Sequence, residues 1–126
     1  MNARKLLEEG IEILRGGDKE IDCLFAPHAA EIIDLLDRYI KEIELFNPAY
    51  GLVGAADSSE LVIKHILDSL APLGIISRML DRSAACRTQI ADAGSGAGLP
   101  GIPLAIVLKD INFTLIEKMG RRAGFL

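Results

Sequence analysis

Gln89-Ile90-Ala91-Asp92-Ala93 runs directly into Gly94-Ser95-Gly96-Ala97-Gly98-Leu99-Pro100-Gly101, then into the apolar block 103–108, then into Asn112-Phe113-Thr114-Leu115-Ile116-Glu117. A short strand, a turn with glycine at alternate positions, a helix and a second β-branched, aromatic strand make a βαβ unit. Such a unit needs a parallel pair joined by a right-handed crossover. Parallel strands are buried on both faces and normally belong to larger sheets. The fold class expected is therefore α/β, with more than two strands required to complete the sheet. Alternate glycines let the backbone turn tightly and approach a ligand without Cβ obstruction. A flexible linker has similar composition, but a strand before and a helix after are the context of a nucleotide-binding turn.

The remainder of the chain is helical in pattern. Leu6, Leu7, Ile11, Ile13 and Leu14 recur at helical spacing until Gly16-Gly17. Pro27 suits a first helical position, opening an amphipathic segment with Ile32, Ile33, Leu36, Tyr39, Ile40, Ile43 and Phe46 on one stripe, expected to end at Asn47-Pro48. Asp57 with Glu60 reads as a capping box opening a helix through Leu61, Val62, Ile66 and Leu70, closed by Pro72-Leu73-Gly74. Ile75, Ile76, Met79 and Leu80 predict one or two helical turns, followed by a loop from Arg82 to Arg87. The expected division is a mainly helical region over 1–87 and an incomplete first βαβ unit over 88–126. A further helix is predicted from Lys118 onward.

With 126 residues, 50% of them apolar, the chain has the size and composition of one small domain and is not disordered. No apolar run approaches the roughly 20 residues of a membrane span. Met1-Asn2-Ala3-Arg4-Lys5 meets Glu8 and Glu9 before any apolar block, unlike a secretory signal, so a cytoplasmic location is expected. Cys23 and Cys86 lie far apart without a metal-ligand spacing, which argues for reduced thiols and against zinc or a disulfide. Residues 1–60 carry six Lys/Arg against thirteen Asp/Glu, a net of −7, whereas residues 61–126 carry eight against five, a net of +3. Any polyanion contact is expected in the second half.

The ligand of the glycine turn is argued from charge. Residues 96–101 match GxGxxG, so a dinucleotide, and with it an oxidoreductase, stays in play. Counted from Gly94, however, the third glycine falls on Leu99. Asp92 also places a carboxylate two residues before the turn, where it would repel a pyrophosphate and attract a cation. S-adenosylmethionine carries a sulfonium, an α-ammonium and a ribose diol, and no phosphate. Glu117 at the end of the second strand is placed to accept from both ribose hydroxyls, although an acid there suits a nicotinamide cofactor equally. Lys118, Arg121 and Arg122 form a basic cluster suited to phosphate contacts or to a solvated helix face. His65 and Asp68 share a helix face, with a structural or pocket-wall role favoured over catalysis.

Residues 88–126 resemble the bacterial small-subunit rRNA guanine-N7 methyltransferases (RsmG, formerly glucose-inhibited division protein B). The resemblance rests on the segment from Ile90 to Ala105, above all on Gly98-Leu99-Pro100-Gly101-Ile102-Pro103, and on Phe113-Thr114-Leu115-Ile116-Glu117 with Arg121-Arg122-Ala123-Gly124-Phe125-Leu126. Upstream, Lys64-His65-Ile66-Leu67-Asp68-Ser69-Leu70 and Phe46-Asn47-Pro48-Ala49-Tyr50-Gly51-Leu52 resemble two further family signatures, departing at Phe46, Gly51 and Lys64. The resemblance implies a Rossmann-like class I S-adenosylmethionine-dependent methyltransferase domain, truncated after its second strand. It implies methylation of N7 of a guanine in 16S rRNA of the small ribosomal subunit, without metal or membrane. Asp92, Gly94, Gly96, Gly98, Leu99 and Glu117 are the implied cofactor residues, and Lys118, Arg121 and Arg122 the implied RNA residues. The chain is expected to be the front portion of a longer α/β domain, short of cover over Ile90, Ile106, Phe113 and Leu115. A truncated, non-catalytic remnant of the methyltransferase is the other outcome.

Overall fold

Residues 2–80 and 88–126 are described by a computed structural model. Asn2 caps helix α1 (Ala3–Gly17) by accepting from the Arg4 N–H, and Leu7 and Ile11 bury its inner face. Asp18 then ends one helix and starts the next, accepting at 2.9 Å from the Glu20 N–H to cap α2 (Lys19–Phe25). This short helix was not anticipated, although Asp18 as a cap and Ile21 with Phe25 as an i,i+4 apolar pair were its signals. Both of those apolar side chains are buried.

Helix α3 (Ala29–Tyr50) carries the predicted stripe, with Ile32, Leu36, Tyr39, Ile40 and Ile43 all buried. It runs through Pro48 rather than stopping at Asn47-Pro48. A proline in the last turn removes a single donor. Phe46 and Tyr50 stack one turn apart at 5.7 Å, and the helix stops where Gly51 enters the left-handed region (φ 60°), donating at 2.9 Å to the Asn47 carbonyl. Pro27 lies in the turn before α3, two residues ahead of its first residue.

Asp57 and Glu60 form the expected cap, with the return bond shifted by one residue to Ala56. The Glu60 N–H donates to Asp57 at 2.8 Å, and the Glu60 carboxylate accepts from Ala56 N–H at 2.6 Å. They open α4 (Ser58–Leu61), which continues as a π-helical stretch (Val62–Leu67) and α5 (Asp68–Leu70). Leu61, Val62, Ile66 and Leu70 are buried as predicted, while the π turn had no signal in the sequence. Helix α6 (Leu73–Met79) supplies the anticipated turns. The expected loop from Arg82 to Arg87, and Cys86 within it, lie outside the described residues; Cys23 is exposed.

Strands β1 (Gln89–Ala93) and β2 (Asn112–Ile116) pair in parallel from Gln89↔Asn112 to Ala93↔Ile116, separated by α7 (Gly101–Val107). Helix α8 (Gly120–Phe125) follows. Ile90, Asp92, Phe113 and Leu115 share the face toward α7 and are half-buried, as is Ile106. Gln89, Ala91, Ala93, Asn112, Thr114 and Ile116 share the other face and are exposed, Ile116 at 52%. The expectation of a buried β1 is corrected on this point: among the described residues no layer covers the second face of the two-stranded sheet. The result is an α/β arrangement, mostly helical, with its dense core in the first half.

Four contacts seat the βαβ unit on the helices. Tyr39 of α3 donates at 2.7 Å to the Ala97 carbonyl, Lys109 pairs with Glu31 at 2.8 Å, Arg122 donates to the Gly51 carbonyl at 3.2 Å, and Phe46 meets Phe125 edge to face at 5.9 Å. Leu104, Val107, Leu108 and Ala97 complete the shared core. Ile40→Ala, inside this core, should destabilise the chain by about 2–5 kcal/mol in urea unfolding. Ile116→Thr, on the open face, should change stability by less than about 0.5 kcal/mol. Equal effects would mean that the two positions are equally buried in solution.

Candidate functional site

The glycine turn leaves β1 by continuing its pairing: the Gly94 and Ser95 N–H groups both donate to the Ile116 carbonyl, at 2.7 and 3.1 Å. The chain then winds on itself, with Gly98 and Leu99 N–H donating to the Ser95 carbonyl and Ile102 N–H to the Gly98 carbonyl. Gly94, Gly96 and Gly98 have φ of 75°, 60° and 97°, the left-handed region that only glycine enters without strain. The peptide between Leu99 and Pro100 is cis. A Cβ on Gly94 or Gly96 would meet nothing within 4 Å, so the protein leaves the space above these two residues open.

Two carboxylates hold this turn from inside. Asp92, half-buried at the end of β1, accepts at 2.9 Å from the Gly101 N–H at the start of α7. A Cβ on Gly101 would stand 2.4 Å from Leu115 and 2.8 Å from the Asp92 carboxylate, so glycine is required there for the helix to start so close to the sheet. Glu117 accepts from the Gly96 N–H at 2.6 Å and the Met119 N–H at 2.9 Å. These backbone donors, Met119 first, with Arg122 nearby, hold its carboxyl below the ordinary value of 4.5. It is half-exposed at the rim of the turn, so its remaining lone pairs face outward.

Two further residues act at the turn. Tyr39, read as one of the apolar stripe, is the donor to Ala97, and burial followed by the charge of Asp92 holds its phenol well above its ordinary value. It therefore remains protonated, and a hydrogen-bond donor, at neutral pH. Ser95 is buried, and its Oγ has no hydrogen-bond partner among the described residues. Its signal was its place among the glycines, but only the fold shows that its hydroxyl is enclosed.

Of the basic cluster, Lys118 and Arg121 are exposed, while Arg122 is half-buried against the end of α3 through Gly51. The three stand at the start of α8, beside the Glu117 end of the turn. Leu99 and Pro100, with Lys64, His65, Asp68, Ser69 and Pro72, line a cleft of about 290 Å³. A second depression, about 280 Å³, lies between the end of α3 and residues 53–58, where the Asn47 side chain clamps Val53 by donating to its carbonyl and accepting from its N–H. Among the described residues there is no group of three or more His, Cys, Asp or Glu side chains placed to hold a metal, and no helix long and apolar enough to cross a membrane.

Tyr39→Phe removes the Ala97 carbonyl's buried donor and should cost about 1–3 kcal/mol in urea unfolding. No change would show that the phenol bears no weight in solution. Glu117 has a folded-state value below its unfolded one, so its hold on the turn is complete above about 4.5 and is lost as pH falls through the lowered value. The Gly96 amide resonance should be flat from pH 7 to 5 and move with a midpoint below 4.5. A midpoint at or above that value would contradict the bond.

A family model described as rRNA small subunit methyltransferase G matches residues 32–126. Proteins named ribosomal RNA small subunit methyltransferase G from Colwellia psychrerythraea and Salmonella agona are 41% identical to this chain over 96 residues and 40% identical over 92. Those alignments cover 76% and 73% of this chain and 42% and 40% of the relatives, so the chain spans about two-fifths of the length of the proteins it matches. The matched range takes in the Tyr39 stripe, the π turn, both strands, the glycine turn and Glu117. The chain belongs to the rRNA small subunit methyltransferase G family.

Proposed function

We propose that this chain is the cofactor-binding portion of a cytoplasmic, Rossmann-like class I methyltransferase that uses S-adenosylmethionine to methylate N7 of a guanine in 16S rRNA. The observation that carries the choice of cofactor is where the turn's N–H groups go. Those of Gly94, Ser95, Gly96, Gly98, Leu99 and Gly101 all donate to acceptors within the protein. A pyrophosphate depends on such donors pointing outward. A turn whose donors are spent internally, with Asp92 behind it, suits a cation without phosphate.

The residues fit the group. The open space above Gly94 and Gly96 accepts the methionine part, Asp92 supplies negative charge behind the turn, and Glu117 has lone pairs left for the ribose hydroxyls. Gly98 and Leu99 shape the far side of the turn, with Gly98 already packed against Ile102. S-adenosylmethionine, when bound, supplies an activated methyl group. N7 of guanine has a free lone pair and no proton, so the residues have no base to provide; their work is to bind and orient. Lys118 and Arg121 are available to RNA phosphates, and Arg122 shares that role with its hold on Gly51.

Calorimetric titration of the chain with S-adenosylmethionine and separately with NAD tests this reading. Binding of the first and not the second is expected. Glu117→Ala should weaken it by about tenfold to a hundredfold, the range for hydrogen bonds to a charged acceptor. Binding of NAD in its place would favour an oxidoreductase, and binding of neither would leave a remnant without a cofactor site.

A further inference from the structure

The cleft between the π-helical stretch and the Leu99–Pro100 peptide joins two motifs that are far apart in the sequence. At about 290 Å³ it lies just below the volume of about 300 Å³ at which small-molecule sites begin. Leu99, Pro100 and Pro72 make its apolar lining, and Lys64, His65, Asp68 and Ser69 its polar lining. The polar groups differ in what they have left to offer. Lys64 is ion-paired with Glu60, and the Ser69 hydroxyl donates to the His65 carbonyl within its own helix. Asp68 is exposed, and its carboxylate has no hydrogen-bond or ion-pair partner among the described residues.

A free carboxylate, with two oxygens to accept, beside apolar side chains that can cover a ring face recognises a flat heterocycle with two adjacent N–H donors on one edge. Among the four RNA bases, guanine alone has that edge, its N1–H beside its 2-amino group. We propose that this cleft holds the guanine base, with Asp68 accepting from N1–H and the 2-amino group while Leu99 and Pro100 cover a ring face. The identity of the base as the methyl acceptor rests on the function proposed above. A base held by its Watson–Crick edge leaves N7, on the opposite edge, unobstructed. Because Leu99 belongs to the glycine turn, the same segment that bounds the cofactor space also bounds the base. Lys64 at the rim is positioned to exchange Glu60 for a nucleotide phosphate.

Isotopically labelled chain titrated with GMP, inosine monophosphate and AMP, in the absence of any methyl donor, tests this by amide shift mapping. Inosine monophosphate differs from GMP only in lacking the 2-amino donor. GMP should shift the amides of residues 64–69 and of Leu99 and bind about tenfold tighter than inosine monophosphate, the loss expected for one donor to a charged acceptor. AMP should leave these amides in place. Asp68→Asn should bring GMP down to the affinity of inosine monophosphate. Equal binding of GMP and inosine monophosphate by the unaltered chain, or shifts confined elsewhere, would overturn the assignment without need of a variant. GMP selectivity with no S-adenosylmethionine binding would overturn the cofactor reading alone, and the reverse result would overturn this one alone.

Discussion

The hydrogen bond from Tyr39 to the Ala97 carbonyl ties the two halves of this protein at the middle of the glycine turn. A turn of alternating glycines has high conformational entropy, and glycine loses more freedom on ordering than any other residue. Its bonds from Gly98 and Leu99 to Ser95 close it into a loop, and those from Gly94, Ser95 and Gly96 fix it to the end of β2, but none reaches the helices of the first half. The phenol reaches them, because Tyr39 lies in the buried stripe of α3 between Leu36 and Ile40, where the helix packs on the core. The apolar packing of the first half is thereby transmitted to a polar atom in the second.

Carboxylates do the remaining positioning. Asp92 and Glu117 sit at the ends of the two strands and accept from N–H groups of Gly101 and Gly96, at opposite ends of the turn. A charged acceptor makes a stronger bond to a backbone N–H than a neutral one, and each donor so held is withdrawn from solvent and from anions. The same two side chains that shape the cradle therefore also give it a negative character. Structure and electrostatics are not separable here: an acid that holds the backbone is also a negative charge at the turn. Gly101 is the steric counterpart, since only the absence of a Cβ lets α7 start against Asp92 and Leu115.

The π-helical stretch has a comparable place on the other side of the cleft. Widening the helix over Val62–Leu67 keeps Val62 and Ile66 buried while placing Lys64, His65 and Asp68 opposite Leu99 and Pro100. Ordinary helical spacing accounts for the buried residues but says nothing of which turn is wide, because the extra residue is accommodated by packing and not by any local preference.

The sequence by itself determined the elements that depend on local chemistry and periodicity. The stripe of α3, the Asp57–Glu60 cap, both strands and the turn between them follow from side-chain period and from glycine's access to positive φ, and they are where the pattern put them. It also identified Asp92, Gly94, Gly96 and Glu117 as a group, since they lie within one βαβ unit. Only the tertiary structure decided what these residues do to one another. It turned Tyr39 from a core residue into a donor, enclosed the Ser95 hydroxyl, carried α3 through Pro48 to Gly51, left one sheet face open, and brought residues 64–69 against Leu99. The physical reason is range. Period, capping and backbone conformation act over a few residues, whereas a phenol fifty-eight positions from its acceptor finds it only when the whole core has packed.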